Sequence, residues 1–255
     1  MRVVPRSSKS EAEYQAQIPS ASTRLIIFDF ETTGLHVDSN EIIEIGAVEV
    51  TQGKVTRKFH SFACPSIVIS ASATGVHGWT NDNLRGYPSS IEQLRKFLVW
   101  IGSFMNTCLV AHNLRFDLKF LEAGIEILNI MQAKQFYYPE ATFCTYNFIR
   151  RNFRRVHNLR QACKVFATTP VQTDEFHGAI VDAELTWELY RALANWKFHV
   201  GTPGIAQVPF ARNKKARPKY RTLPWNNLVS QDRYSGSDES LDLIELYPVP
   251  SDTDN

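Results

Sequence analysis

LIIFDFETTG, residues 25–34, places two carboxylates inside a run that is otherwise apolar. In an extended strand residues i and i+2 share a face, so Asp29 and Glu31 project side by side. Leu25, Ile26, Ile27, Phe28 and Phe30 leave little sign of a solvated surface around them. Two readings are open at this point. Either this is the exposed face of an edge strand with both acids in water, or the acids are withdrawn from water and held ionised by a divalent cation. Oxygen donors without cysteine favour Mg2+ or Mn2+ over zinc.

A cation site would need further acids from elsewhere in the chain. LVAHNLRFDLKFLEAGI carries Asp117 just after a short buried strand, in the opening turns of a helix. There an acid also complements the helix dipole, which is its bland explanation. HGAIVDAELTWELY carries His177 and Asp182 five residues apart. If a helix starts near Gly178, His177 lies on the preceding loop and Asp182 on the first turns, so both can face one site.

Around these residues, RLIIFDF (24–30), EIIEIGAVEV (41–50) and KFHSFACPS (58–66) read as strands separated by short turn-forming segments, an antiparallel meander. The pattern then changes to helical spacing over residues 89–105, a short strand over 108–113, and a helix beginning near 116. ATFCTYNFIRRNF (141–153), NLRQACKVFA (158–167) and AIVDAELTWELYRALANW (179–196) all read as helical. Strands followed by alternating helix and strand predict an α/β architecture, a mixed sheet flanked by helices.

Composition bounds the rest. Of 255 residues, 44% are apolar and 21% charged, with a net charge of +2. That is ordinary for a soluble globular protein, and no run approaches the ~18 apolar residues of a membrane span. Residues 1–22 lack an apolar period and are expected to form a mobile arm, residues 23–200 one domain, and residues 201–255 a disordered tail with a basic block and an acidic end. The N-terminus shows no secretory h-region, which makes an intracellular location the expectation. Cys64, Cys108, Cys144 and Cys163 form no metal-binding or disulfide pattern and read as small core residues.

Three ordered segments, FDFETTGL (28–35), HNLRFDLKFL (112–121) and HGAIVD (177–182), resemble the DEDDh family of 3′-to-5′ exonucleases, DnaQ-like enzymes of the ribonuclease-H-like superfamily. IIEIGAVEV and ATGVHGWTNDNL also look like the family's, and the resemblance covers roughly residues 24–193. It implies a ribonuclease-H-like fold with a mixed five-stranded sheet. It also implies two divalent ions, Mg2+ or Mn2+, on Asp29, Glu31, Asp117 and Asp182, with Asp29 bridging and His177 as general base. The implied reaction is hydrolysis of phosphodiester bonds from nucleic acid 3′ ends, releasing nucleoside 5′-monophosphates, with single-stranded DNA ahead of RNA.

The resemblance further implies that Thr32, Thr33 and Leu35 hold the terminal nucleotide, and that His77, Asn113 and Phe116 line the same pocket. Each has a plainer reading, as a loop histidine, a turn asparagine and, favoured for Phe116, a core aromatic. Residues 23–200 hold 18 basic and 17 acidic side chains, which suits an enzyme gripping a few terminal nucleotides better than a tight duplex binder. The exception is IRRNFRRVHNLR (149–160), where Arg150 and Arg154 stand at i, i+4 spacing. They form either a solvated helix face or a phosphate track. The competing expectation is a catalytically idle binding module, with KYRTLPWNNLV (219–229) in the tail docking a protein partner. Retention of repelling carboxylates argues against it, and the lack of a His/Cys cluster argues against a zinc hydrolase.

Overall fold

The computed structural model describes residues 10–20, 23–131, 136–139, 141–153, 158–166 and 177–196. Residues 201–255, including the docking segment expected at 219–229, lie outside these. Strand β1 (Arg24–Thr32) is the centre of a five-stranded sheet. It pairs antiparallel with β2 (Ile42–Thr51) on one side and parallel with β4 (Thr107–Ala111) on the other. Beyond them lie β3 (Lys54–Phe62), antiparallel to β2, and β5 (Ala141–Cys144), parallel to β4, giving the order β3-β2-β1-β4-β5. The β2–β3 turn places Gln52 and Gly53 at φ 52° and 73°. A two-residue hairpin loop of that kind needs positive φ at both central positions, which glycine supplies without strain.

A central strand covered on both faces is apolar throughout, and this explains the unbroken run at 25–28. Ile26, Phe28 and Phe30 join one core with Phe97 of α3 (Ser90–Ile101) and Leu121 of α4 (Arg115–Met131). Leu25 and Ile27 join a second core on the opposite face, with Ile149 of α5 (Thr145–Asn152), Cys163 of α6 (Leu159–Phe166) and Leu189 of α7 (Ala179–Ala194). The mixed, helix-flanked sheet expected from the sequence is therefore present. All four cysteines are free, and Cys108 and Cys163 are buried.

Two expectations need correction. Residues 10–15 form the short helix α1 (Glu11–Gln15), closed by a Ser10/Glu13 capping box. Tyr14 is fully buried edge-on against Phe148, 5.0 Å between centroids, and the Tyr190 hydroxyl donates to the Pro19 carbonyl at 2.8 Å. Burying a tyrosine this completely stabilises by roughly 2 kcal/mol, enough to fix a segment that has no internal apolar period. Residues 10–20 are thus part of the fold rather than a mobile arm. The second correction concerns residues 141–144, read as helical but pairing with β4 as β5. Helix α5 begins only at Thr145, where the Cys144 side chain accepts from Asn147 N–H.

Candidate active site

The carboxylates gather at the end of the sheet where β1 and β4 finish. Asp29 and Glu31 share the β1 face covered by α7. Asp29 lies opposite Gly46 of β2, and Glu31 opposite Glu44. Gly46 decides how closely α7 can approach: a Cβ there would meet the backbone of Ala179 and Ile180 at 2.1–2.4 Å. Any side chain at position 46 would lift the first turn of α7, and Asp182 with it, off the strand.

Asp182 stands in that first turn, and Gly178 is the residue that caps the helix, as the spacing predicts. His177 therefore sits on the incoming loop. Its backbone N–H donates to the Val76 carbonyl at 3.0 Å, tying the loop to α2 (Ala71–His77). Its Nδ1 lies 2.7 Å from Asp182 Oδ2. One ligand atom each from Glu31, His177 and Asp182 falls within 4.8 Å of the other two. Asp117 arrives from the opposite layer, in the first turn of α4, and its Oδ1 accepts the Phe30 N–H at 3.1 Å.

The electrostatics are those of a site short of positive charge. Asp29, though partly open to solvent, has its carboxyl pushed well above the usual range by desolvation and then by Asp117, Glu31, Asp182 and Glu44. Glu31 is raised to about 8 by burial, with Glu44, Asp182 and Asp117 adding to it. Asp117 is also raised to about 8 by burial, against which the Phe30 N–H bond works. Asp182 Oδ1 is buried and makes no hydrogen bond among the described residues, and Arg160 Nη2 stands 3.9 Å from it. Clustered acidic oxygens with an orphaned lone pair fit a divalent cation, which would relieve the repulsion that raises these groups.

The expected substrate contacts divide. Leu35 is 78% exposed beside the strand end, and Asn113 is exposed at φ 66°. Phe116 is partly buried, its ring packed on Phe120 at 5.2 Å, as the core reading has it. Thr33 is fully buried: its N–H donates to the Glu41 carbonyl, its hydroxyl accepts from Glu41 N–H, and its carbonyl accepts from Ser70 N–H. Its groups hold the loop instead of facing a ligand, a correction to the expected contact. Thr32 is also buried, its hydroxyl donating to the Gly34 carbonyl at 2.7 Å. His77 is 4% exposed, with Nδ1 accepting the Trp79 N–H and Nε2 facing the Thr32 carbonyl, so its ring links the Trp79 loop to the strand end. Arg150 is exposed on α5, but that helix ends at Asn152 with Phe153 extended. Arg154, its expected partner at i, i+4, lies outside the described residues.

Sequence reading missed Glu44 and Gly46. Their signal was present in IIEIGAVEV, where an acid and a glycine interrupt a strand's apolar alternation.

Comparison with known proteins agrees with this geometry. A family model described as exonuclease (RNase_T) matches residues 26–190. The PolC-type DNA polymerase III of Halalkalibacterium halodurans is 32% identical over 185 residues, covering 69% of this chain and 12% of that protein. That of Bacillus subtilis is 34% identical over 172 residues, 63% and 11% respectively. The chain thus spans about a tenth of the length of these relatives. Among solved structures, E. coli Exonuclease I in complex with a dA16 oligonucleotide superposes with a TM-score of 0.54 at 13% identity, covering 67% of this chain and 40% of that one. Exonuclease X in complex with 5′-overhanging duplex DNA gives 0.50 at 23%, covering 71% and 97%. These likenesses carry the fold, and the residues that the family model matches include Asp29, Glu31, Asp117, His177 and Asp182. The chain belongs to the RNase_T exonuclease family, within the DnaQ-like, ribonuclease-H-like superfamily.

Proposed function

We propose that the protein is a 3′-to-5′ exonuclease that depends on two divalent ions, Mg2+ or Mn2+, and releases nucleoside 5′-monophosphates, with single-stranded DNA preferred over RNA. The observation that carries this reading is the convergence of Glu31, His177 and Asp182 beside Asp29 and Asp117, without enough fixed cations among the described residues to neutralise them. A catalytically idle module would have no reason to keep such a repelling set.

Asp29, Glu31, Asp117 and Asp182 would hold the ions. Bound there, divalent cations lower the pKa of water and neutralise charge on phosphoryl and leaving oxygens. The protein's own contribution is positional. With Asp182 accepting at Oδ2, the His177 proton resides on Nδ1, and Nε2 is left to accept a proton from the attacking water. The side chain of His177 is 41% exposed, so the base stands at the mouth of the site where a strand end can reach it.

The test is digestion of matched single-stranded DNA, duplex DNA and RNA, each 5′-labelled, in Mg2+ or Mn2+. The reading expects a ladder shortening from the 3′ end, fastest on single-stranded DNA, and silence in chelator. No laddering on any substrate by folded protein would overturn the enzyme assignment. Faster loss of RNA would overturn the substrate preference alone.

A further inference from the structure

Glu44 is 2% exposed, and its position makes it costly. It lies directly across from Glu31 on β2, and like charges facing each other across a strand pair are destabilising. Both its oxygens are nevertheless held in place. Oε1 lies 2.8 Å from His60 Nε2, and Oε2 accepts the Trp79 indole N–H at 2.9 Å. Trp79 in turn donates its backbone N–H to His77 Nδ1, and His77 reaches the carbonyl of Thr32, the residue after Glu31. On its other side Glu44 Oε1 lies 3.8 Å from where a Cβ of Gly178 would stand, next to His177.

From this we propose that Glu44 is a positioning residue: a fixed acid outside the cation-ligand set that sets the negative potential behind Glu31 and anchors the Trp79–His77 segment beside the substrate end. His60 and Trp79 aim the carboxylate and engage one lone pair on each of its oxygens. Its negative charge still reaches the site, being among the groups that raise Asp29 and Glu31. Removing the charge therefore weakens attraction for a cation, and removing the Trp79 bond loosens the wall that His77 supports. This inference rests on the cation-dependent reading above.

The experiment compares wild type, Glu44→Gln and Trp79→Phe in full-length protein, reading Mn2+ binding by calorimetry alongside kcat and KM on a single-stranded DNA oligonucleotide. Glu44→Gln keeps the shape and one acceptor, and is expected to weaken Mn2+ binding by about tenfold, the lower end of what outer-shell changes cost. Trp79→Phe removes the indole N–H together with part of the ring that packs on Phe62, and is expected to raise KM several-fold with Mn2+ binding unaltered. Unchanged Mn2+ affinity in Glu44→Gln would overturn the proposal, leaving Glu44 a purely structural acid. Complete loss of one Mn2+ equivalent would overturn it differently, making Glu44 a ligand. If wild type itself binds no Mn2+, the failure lies with the cation-dependent reading.

Discussion

The same two strands, β1 and β2, bury acids at both ends, and the two ends treat them in opposite ways. At one end Glu49 accepts from Arg24 Nη2 at 2.7 Å and from Arg57 Nη2 at 2.5 Å. Arg24 also donates to the Ile101 and Ser103 carbonyls, and Arg57 to Trp100, closing the C-terminal carbonyls of α3. The Arg57 guanidinium lies 4.8 Å over the Trp100 ring. Burial alone would raise the Glu49 carboxyl, but the two guanidinium bonds hold it below its usual range. At the other end Glu31, Asp29 and Asp117 are raised, and the Arg160 guanidinium stands 3.9 Å from Asp182. An acid balanced inside the fold contributes stability. An acid left unbalanced costs stability and makes a place for an external cation.

Asp29→Ala and Asp182→Ala test the contrast most severely. Each should reduce cleavage to background in a 3′-end digestion, since each removes a cation-holding oxygen pair. Asp29→Ala should not lower Tm in chelator, and a rise is expected, because it removes a charge that its neighbours repel, whereas Asp182→Ala should gain less because it also removes the acceptor of His177 Nδ1. A large stability loss with activity intact would reverse the roles assigned to the two ends. His177→Ala should be milder, slowing kcat by about 10²-fold or more while leaving Mn2+ binding in place, as removal of a general base does. Loss of Mn2+ affinity in that variant would instead make the imidazole a ligand.

Glu49→Ala should show the converse pattern. It strands two guanidinium groups, one of which, Arg57, is half exposed. Fully buried pairs lose about 3–5 kcal/mol when broken, and water around Arg57 reduces this to about 1–2 kcal/mol. Denaturant unfolding should read that loss, with kcat per folded molecule unchanged.

Acidity separates the ends a second way. Glu31 and Asp117, raised to about 8, bind protons in the folded chain that the unfolded chain has already released. In chelator, stability contributed by these groups is therefore full below about pH 4 and is lost as pH rises towards 8. Glu49, being depressed, contributes above its unfolded pKa and loses that contribution as pH falls through its folded value. Tm in chelator should thus decline from mildly acid to alkaline pH, and saturating Mg2+ should reverse the slope by binding the deprotonated acids. A slope of the same sign with and without Mg2+ would mean the acids are not where the cation binds.

How much of this was legible follows from which interactions are local. The acid pair at 29 and 31 and the helix start at Gly178 rest on neighbours within a few residues, and the β meander on strands consecutive in the chain, so the sequence expressed them directly. β5 was hidden because its four residues are too few to show a period, and its strand character comes from β4, some thirty positions away. Helix α1 was hidden because its anchor is a single tyrosine whose partners, Phe148 and Phe153, lie far along the chain. Gly46 reads as an ordinary strand glycine until α7 is seen pressed against it. Thr33 was misjudged for a related reason: its loop partners, Glu41 and Ser70, become visible only once the turn closes.

Leu35 offers the smallest effect and belongs to neither acid cluster. A leucine that is 78% exposed contributes little to the folded state, so Leu35→Ala should leave stability within about 0.5 kcal/mol of wild type. On the proposed reading, this exposed apolar side chain beside the strand end meets the terminal base. Losing its outer methyl groups from such a contact forfeits about 1 kcal/mol, or roughly fivefold in KM on a single-stranded DNA oligonucleotide, with kcat much less affected. Phe116 provides the control, because its ring packs on Phe120, and Phe116→Ala should lower Tm. If Leu35→Ala changed Tm and left KM alone, the exposed leucine would belong with the structural end of the sheet, and the mouth of the acid cluster would need another apolar contact for the nucleotide.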